Sequence, residues 1–191
     1  AIFRSNKGNF QIPSSRPVIY VTGGSLGAHA LNKHIEQILD KLLEKYTIIH
    51  QTGAVRQYAD YERLSKRASK YYIVQKHVSS AEIGYVYGRS SVVVSRAGAN
   101  TVFELIALAK PAVLVPLPIS AAGEQQAHAR LLKDRGVAEI FSQERDSDVL
   151  FDLIEKVVDR RATYSKNFSN LANLYKKNAA SLLVSEMLDS I

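Results

Sequence analysis

The sequence contains no cysteine. Disulfide scaffolds, thiolate metal centres, iron–sulfur clusters and cysteine nucleophiles are therefore excluded by inventory, and a reducing compartment is compatible with the chain. It also lacks any apolar run near the roughly 20 residues needed to span a bilayer. The longest apolar stretch, Pro111 to Ala122, is interrupted by Pro111, Pro116 and Pro118, and no charged-then-apolar signal peptide opens the chain. Other signatures are missing as well. No Lys-Ser or Lys-Thr pair follows a glycine loop, which removes the P-loop, and no Gly-x-Ser-x-Gly elbow exists. His29, His34, His50, His77 and His128 show no metal-ligand spacing, and no recognisable RNA-binding motif accompanies the basic residues.

What remains is an ordinary globular composition: 191 residues, 46% hydrophobic and 23% charged, enough for one sizeable core. The formal charge is +7, which suits a phosphate-bearing partner without choosing among nucleotide, nucleic acid and lipid surface. Arg4, Lys7 and Arg16 sit in a first segment without acids, so residues 1–16 read as a basic linker or tail.

Beyond it, short β-branched runs alternate with amphipathic helical patterns, the sign of βαβ units on a parallel sheet. Strands are expected at Pro17–Thr22, Thr47–His50, Tyr72–Gln75, Val92–Ser95, Ala112–Pro116 and Ala138–Phe141. Helices are expected near Ala28–Lys45, Val55–Ser69, Ser80–Tyr87, Asn100–Ala109 and Gln125–Arg135. The fold class is thus α/β, a Rossmann-like, doubly wound, six-stranded parallel sheet over residues 17–145. Residues 146–191 read as C-terminal helices packed on it, with Leu150, Leu153, Ile154, Val157 and Val158 and then Leu171, Leu174, Leu182, Leu183 and Leu188 at helical spacing.

In such sheets ligands lie over the carboxyl ends of the strands. The first strand runs into Gly23-Gly24-Ser25-Leu26-Gly27-Ala28 and a helix, where glycines allow close approach of a phosphate to backbone N–H groups and the helix dipole favours an anion. The second strand ends His50-Gln51-Thr52-Gly53, without the acid that holds a ribose in dinucleotide folds, which disfavours a nicotinamide or flavin oxidoreductase. The fourth runs into Ser95-Arg96-Ala97-Gly98-Ala99-Asn100-Thr101, a second small-residue loop opening a helix. Thr101 and Glu104 fit either a capping box or, for Glu104, an acceptor for ribose hydroxyls. Gln125 and Gln126 open the helix after the fifth strand, and their amides suit sugar hydroxyls or plain solvent exposure. Asp146-Ser147-Asp148 precedes a helix and reads as an N-cap rather than a metal ligand pair.

Gly23–Ala28, Ser95–Leu105 and Pro116–Ala129, in that order, strongly resemble the carboxy-terminal, donor-binding domain of the MurG family of UDP-N-acetylglucosamine-dependent transferases, within glycosyltransferase family 28. The resemblance implies one half of a two-domain GT-B enzyme of peptidoglycan synthesis, cytoplasmic and peripheral at the inner face of the cell membrane, that takes N-acetylglucosamine to a lipid-diphosphate-linked muramoyl peptide. It implies that Gly23, Gly24, Ser25 and Gly27 lie near the diphosphate, with Asn32 supporting that loop, and Gly98, Ala99, Asn100 and Thr101 at the second phosphate-facing helix start. Glu104 would take the ribose hydroxyls, the uracil would lie against His77 and Val78, and Gln125, Gln126 and His128 would face the sugar. The expected partners are a UDP-sugar, an amino-terminal acceptor-binding domain in cis or trans, and through it the lipid-linked acceptor; nucleic acid, metal and cofactor are not expected. The general base is expected in the amino-terminal domain, so the isolated chain is expected to bind donor with little or no turnover. His128-Ala129 stands where the family often has Asn-Ala, which leaves open the donor half of a glycolipid glycosyltransferase, and a non-catalytic nucleotide-binding module remains the alternative of another class.

Overall fold

A computed structural model describes residues 8, 10–119, 123–169 and 171. The helical pattern of Leu174, Leu182, Leu183 and Leu188 and residues 1–7 of the expected tail lie outside the described residues. Six strands, β1 (Val18–Thr22), β2 (Thr47–Gln51), β3 (Tyr72–Gln75), β4 (Val92–Ser95), β5 (Ala112–Leu114) and β6 (Ala138–Ile140), form one sheet. Every pairing is parallel, and the spatial order is β3-β2-β1-β4-β5-β6. The chain builds outward to β3 and then returns to the centre at β4, so the connections leaving β1 and β4 diverge and open a crevice between them.

Strand periodicity distributes the side chains between two cores. Ile19 and Val21 pack on one face, against α1 (His29–Lys45) and α6 (Ser147–Asp159). Val18 and Tyr20 pack on the other, against α3 (Ile83–Arg89), α4 (Ala99–Ala107) and α5 (Glu124–Asp134). On α1, Leu31, Ile35, Ile38, Leu39 and Leu42 recur at helical spacing and are fully or almost fully buried, each contributing about 1.5–3 kcal/mol by removal from water. The helix ends where Tyr46 turns extended and Thr47 N–H pairs with Pro17 O at 2.9 Å to start β2. α6 docks on α1 and the sheet through Leu150, Ile154 and Val157, and its start matches the N-cap reading, with the Asp146 carboxylate accepting from Asp148 N–H at 2.8 Å. The short α7 (Arg161–Asn167) adds Tyr164 to the same face. Phe10, within the segment read as a tail, is buried in the opposite core.

The expected helix over Val55–Ser69 is shorter than its pattern suggests: α2 covers Asp60–Ser65. Ala59 adopts a left-handed conformation, φ 48°, which no helix interior tolerates, and residues 54–59 wrap into the helix instead of extending it. Asp60 explains the geometry. Its carboxylate accepts from His29 Nδ1 at 2.9 Å, Asn32 Nδ2 at 2.8 Å and Arg63 Nη2 at 2.7 Å. Burial favours its neutral form, but these donors prevail and hold it below the usual carboxylate range.

Beneath this carboxylate lies His50, fully buried. Asn32 Nδ2 donates to Thr52 O and Asp60, so its Oδ1 is the acceptor for His50 Nε2–H at 3.0 Å. His50 Nδ1 then accepts from the Tyr72 hydroxyl at 2.9 Å, the neutral tautomer. Burial pushes its pKa down to about 3 against a weaker opposing pull from Asp60. A folded pKa below the unfolded one gives stability that is complete above the unfolded value and declines as pH falls below about 6.5, by about 1.4 kcal/mol per pH unit. In urea titrations the loss of stability between pH 7 and pH 5 should shrink by about 2 kcal/mol in His50→Gln relative to the parent chain; an equal loss in both would refute the neutral assignment.

Candidate functional site

An open cavity of about 540 Å³ occupies the crevice at the carboxyl edge. Tyr20, Thr22 and Gln51 line it from the strand ends, and Gly24 and Ser25 from the loop after β1. His77, Val78 and Ser80 contribute from the segment between β3 and α3, and Ile83 from the start of α3. Tyr87 adds to these from α3, and Gly98, Ala99, Asn100, Thr101 and Glu104 from the start of α4.

The glycine loop is shaped by packing. Thr22 Oγ1 accepts from Gly24 N–H at 3.0 Å, and Gly27 N–H donates to Gly24 O at 3.1 Å. Gly27 has φ +86°, and a Cβ on it would lie 2.2 Å from Thr52 O, so neither the conformation nor the space admits a side chain. Ala28, the N-cap of α1, provides no side-chain cap, which leaves the N–H groups of the first turn for an anion. α4 opens in the same way: Gly98 is its N-cap with no side-chain cap, and Val102 N–H closes on Gly98 O at 3.0 Å.

This start removes the capping-box reading of Thr101 and Glu104. α4 begins at Ala99, so Thr101 is inside the first turn and cannot be an N-cap. Glu104 is engaged across the cavity rim, its Oε2 accepting from the Tyr87 hydroxyl at 2.8 Å. Burial raises the Glu104 pKa, and the Tyr87 hydrogen bond opposes the rise. Tyr87 packs edge-on to Tyr20, with centroids 5.5 Å apart at 81°. Burial holds both phenols above their ordinary range, and they act as neutral donors. A capping arrangement does occur at Ser79-Ser80-Ala81-Glu82, where Glu82 Oε2 accepts from Ser79 Oγ at 2.6 Å; α3 starts just after it, later than the expected Ser80.

Of the residues singled out by sequence, Gly24, Ser25, His77, Val78, Gly98, Ala99, Asn100, Thr101 and Glu104 line the cavity. Gly23 and Gly27 stand behind the loop; a Cβ on Gly23 would lie 2.3 Å from Ala28 N. Asn32 is fully buried, and its amide holds Thr52 O at 3.0 Å rather than the glycine loop. It therefore supports Gly27 through the strand against which that glycine packs. Gln125 Oε1 accepts from Leu117 N–H at 3.1 Å and Gln126 Nε2 donates to Pro118 O at 2.9 Å, outside the cavity lining. His128 Nδ1 donates to Ala97 O at 3.1 Å, steadying the loop that leads into α4. Tyr20, Thr22, Ser80, Ile83 and Tyr87 escaped the sequence reading as site residues, and Gln51 entered it only as a missing acid. Thr22 and Gln51 could have been found by position alone, at the ends of β1 and β2, whereas Tyr20 lies in the middle of β1.

Residues 18–185 match the glycosyltransferase family 28 C-terminal domain. The chain belongs to this family. Among curated relatives, it is 34% identical over 158 residues to the UDP-N-acetylglucosamine--N-acetylmuramyl-(pentapeptide) pyrophosphoryl-undecaprenol N-acetylglucosamine transferase of Clostridium tetani, covering 82% of this chain and 42% of that protein. The protein of the same name from Treponema denticola is 36% identical over 188 residues, covering 93% of this chain and 47% of that one. Among solved structures, Acinetobacter baumannii MurG superimposes with a TM-score of 0.75 at 29% identity, over 93% of this chain and 51% of that one. The chain thus spans about half the length of the relatives it matches. Its parallel α/β sheet is the fold that the resemblance to the family 28 C-terminal domain implied.

Within this family 28 domain, the Tyr87–Glu104 bond is open to direct test. Tyr87→Phe removes a hydrogen-bond donor that favours the ionised carboxyl, so carbon-detected NMR should report a higher Glu104 pKa than in the parent chain. At pH 7 the substitution should cost about 1.5–3 kcal/mol of stability in urea unfolding.

Proposed function

We propose that this chain is the donor half of an inverting family 28 glycosyltransferase and binds UDP-N-acetylglucosamine for transfer to a lipid-diphosphate-linked muramoyl peptide in peptidoglycan synthesis. The observation that carries the reading is one cavity lined both by the glycine loop that leads into α1, at Gly24 and Ser25, and by the start of α4, which has no side-chain cap, with the half-buried Glu104 carboxylate on the α4 wall. The named activity of the relatives supplies the substrate class.

In this reading the diphosphate lies between the glycine loop and the start of α4, where backbone N–H groups and helix dipoles stabilise negative charge that grows as the sugar bond breaks. No metal or cofactor is required by this arrangement. Glu104, with Oε2 occupied by Tyr87, accepts ribose hydroxyls through its remaining lone pairs. The base segment is His77–Val78. Gln125, Gln126 and His128 shape the adjoining loops on the sugar side, and contact with the sugar requires the two glutamine amides to exchange their present loop bonds for sugar hydroxyls.

The acceptor and the general base fall to an amino-terminal domain, in cis or trans, placed over the carboxyl edge. Six large apolar side chains are exposed among the described residues: Leu26, Val55, Tyr58, Phe103, Leu117 and Ile119. All belong to segments that follow β1, β2, β4 and β5, on the side where such a domain would sit. Attachment to the inner face of the membrane follows from the lipid-linked acceptor; no described helix is long and apolar enough to cross a membrane.

Titration calorimetry with UDP, UDP-N-acetylglucosamine, UDP-glucose and NAD tests the donor assignment. UDP and UDP-N-acetylglucosamine should bind and NAD should not; heat with NAD and none with any UDP ligand would overturn it. Glu104→Ala should weaken UDP about tenfold, equivalent to about 1.4 kcal/mol, with the affinity referred to folded protein. Transfer to a lipid-diphosphate acceptor should appear only when the amino-terminal half is added, and its absence then would favour a binding module.

A further inference from the structure

Gln51 occupies the position at the end of β2 where dinucleotide folds place the acid that holds a ribose. Its side chain is almost completely buried and lies at the inner end of the cavity. The hydrogen bonds around it leave no freedom in its orientation. Val78 N–H, which can only donate, reaches Oε1 at 3.0 Å. Gly24 O, which can only accept, lies 2.9 Å from Nε2. The Tyr20 hydroxyl adds a second donor to Oε1 at 3.1 Å. Flipping the amide would set Val78 N–H against an NH2 and the Gly24 carbonyl against a carbonyl, whereas the Tyr20 hydroxyl could turn to suit either orientation.

The strand end that carries it is held on both sides. Gln51 pairs with Thr22 of β1 and with Gln75 of β3, and the ladder continues through Thr52 N–H to Gln75 O at 2.9 Å. The amide therefore joins two segments that are far apart in sequence: the glycine loop at Gly24 and the segment at Val78. These are the two that the donor-binding reading assigns to the diphosphate and the base.

The geometry points to Gln51 as a positioning residue for the nucleotide, a neutral tie that sets the spacing of the phosphate-facing and base-facing loops and couples their order. The inference rests on the donor-binding reading and adds a specificity element to it. Both lone-pair directions of Oε1 are taken by protein donors, so this position offers no acceptor to a ribose hydroxyl, and ribose recognition passes to Glu104 on α4. A carboxylate here would confront the Gly24 carbonyl with negative charge in place of a donor. Isosteric replacement is thus expected to separate the loops, whereas a protonated carboxyl restores one donor and one acceptor.

Gln51→Glu tests this through pH. At pH 7.5 the dissociation constant for UDP, per folded molecule, should rise at least tenfold over the parent chain. The ratio of variant to parent should fall toward one as pH is lowered to 5.5 and the introduced carboxyl takes up a proton. Taking the ratio at each pH removes the titration of UDP and of the other groups around the cavity, Tyr20, Tyr87, Glu104 and His77, to the extent that they titrate alike in both proteins. Gln51→Met, of similar length and neutral, should bind weakly without pH recovery. A fall in melting temperature with unchanged UDP affinity in both variants would overturn the inference and leave Gln51 a purely structural residue.

The parent chain provides a readout independent of any variant's folding. Inorganic pyrophosphate, which would occupy only the phosphate end, should raise the hydrogen-exchange protection of the Val78 amide across the cavity. Binding of pyrophosphate with Val78 protection unchanged would also overturn it. Failure of the parent chain to bind UDP or pyrophosphate would instead remove the donor-binding reading, and this inference with it.

Discussion

At the carboxyl edge the backbones of Gly27 and Gly53 meet with no room for a side chain on either. A Cβ on Gly53 would stand 2.2 Å from the Gly27 Cα, and both residues lie at positive φ, +86° and +91°. This contact brings the start of α1 down onto the end of β2. Everything around it is arranged to hold the two segments in register. Asn32 fixes Thr52 O from below, Asp60 gathers Asn32, His29 and Arg63, and Gln51 reaches back to Gly24. His50 and Gln51 are neighbours in sequence but face opposite sides of the sheet, as strand geometry requires. One completes the buried network under α1, and the other completes the cavity.

The excess of positive charge belongs elsewhere. No lysine or arginine is among the described residues that line the cavity. Basic side chains instead pair across the surface, as Lys41 with Asp148 and Lys45 with Glu155 between α1 and α6, contacts that contribute little individually because water screens them. In the proposed donor-binding reading, recognition of the diphosphate rests on oriented N–H groups, whose positions are fixed by helix starts and glycine packing. Such donors need no rearrangement when charge develops, which is the property that electrostatic catalysis exploits.

Much of this architecture was legible in the residues. Strand alternation in Val18–Thr22 and Val92–Ser95, helical spacing in α1, and the glycines before α1 are local signals, and local signals survive folding. What was missed depends on tertiary contact. The left-handed turn at Ala59 has no glycine to announce it and is followed by Asp60, whose partners His29 and Asn32 come from α1. Glu104 carried a capping pattern in sequence, and only the placement of α3 beside α4 shows that its partner is Tyr87. Gln51 was visible as an acid that is not there; its role emerges when Tyr20, Gly24 and Val78 converge on one amide. Gln125 and Gln126 lay in a recognisable motif, yet their side chains turn to the backbone after β5.

The raised Glu104 pKa has a thermodynamic consequence. A carboxyl held back from ionisation by burial retains a share of its proton as pH approaches that pKa. Any hydroxyl that donates to it favours the ionised form and expels that proton to solvent. In the pH range where Glu104 titrates, a hydroxyl donated to it on binding is therefore linked to proton release, and the heat of binding there includes the ionisation heat of the buffer that takes the proton up.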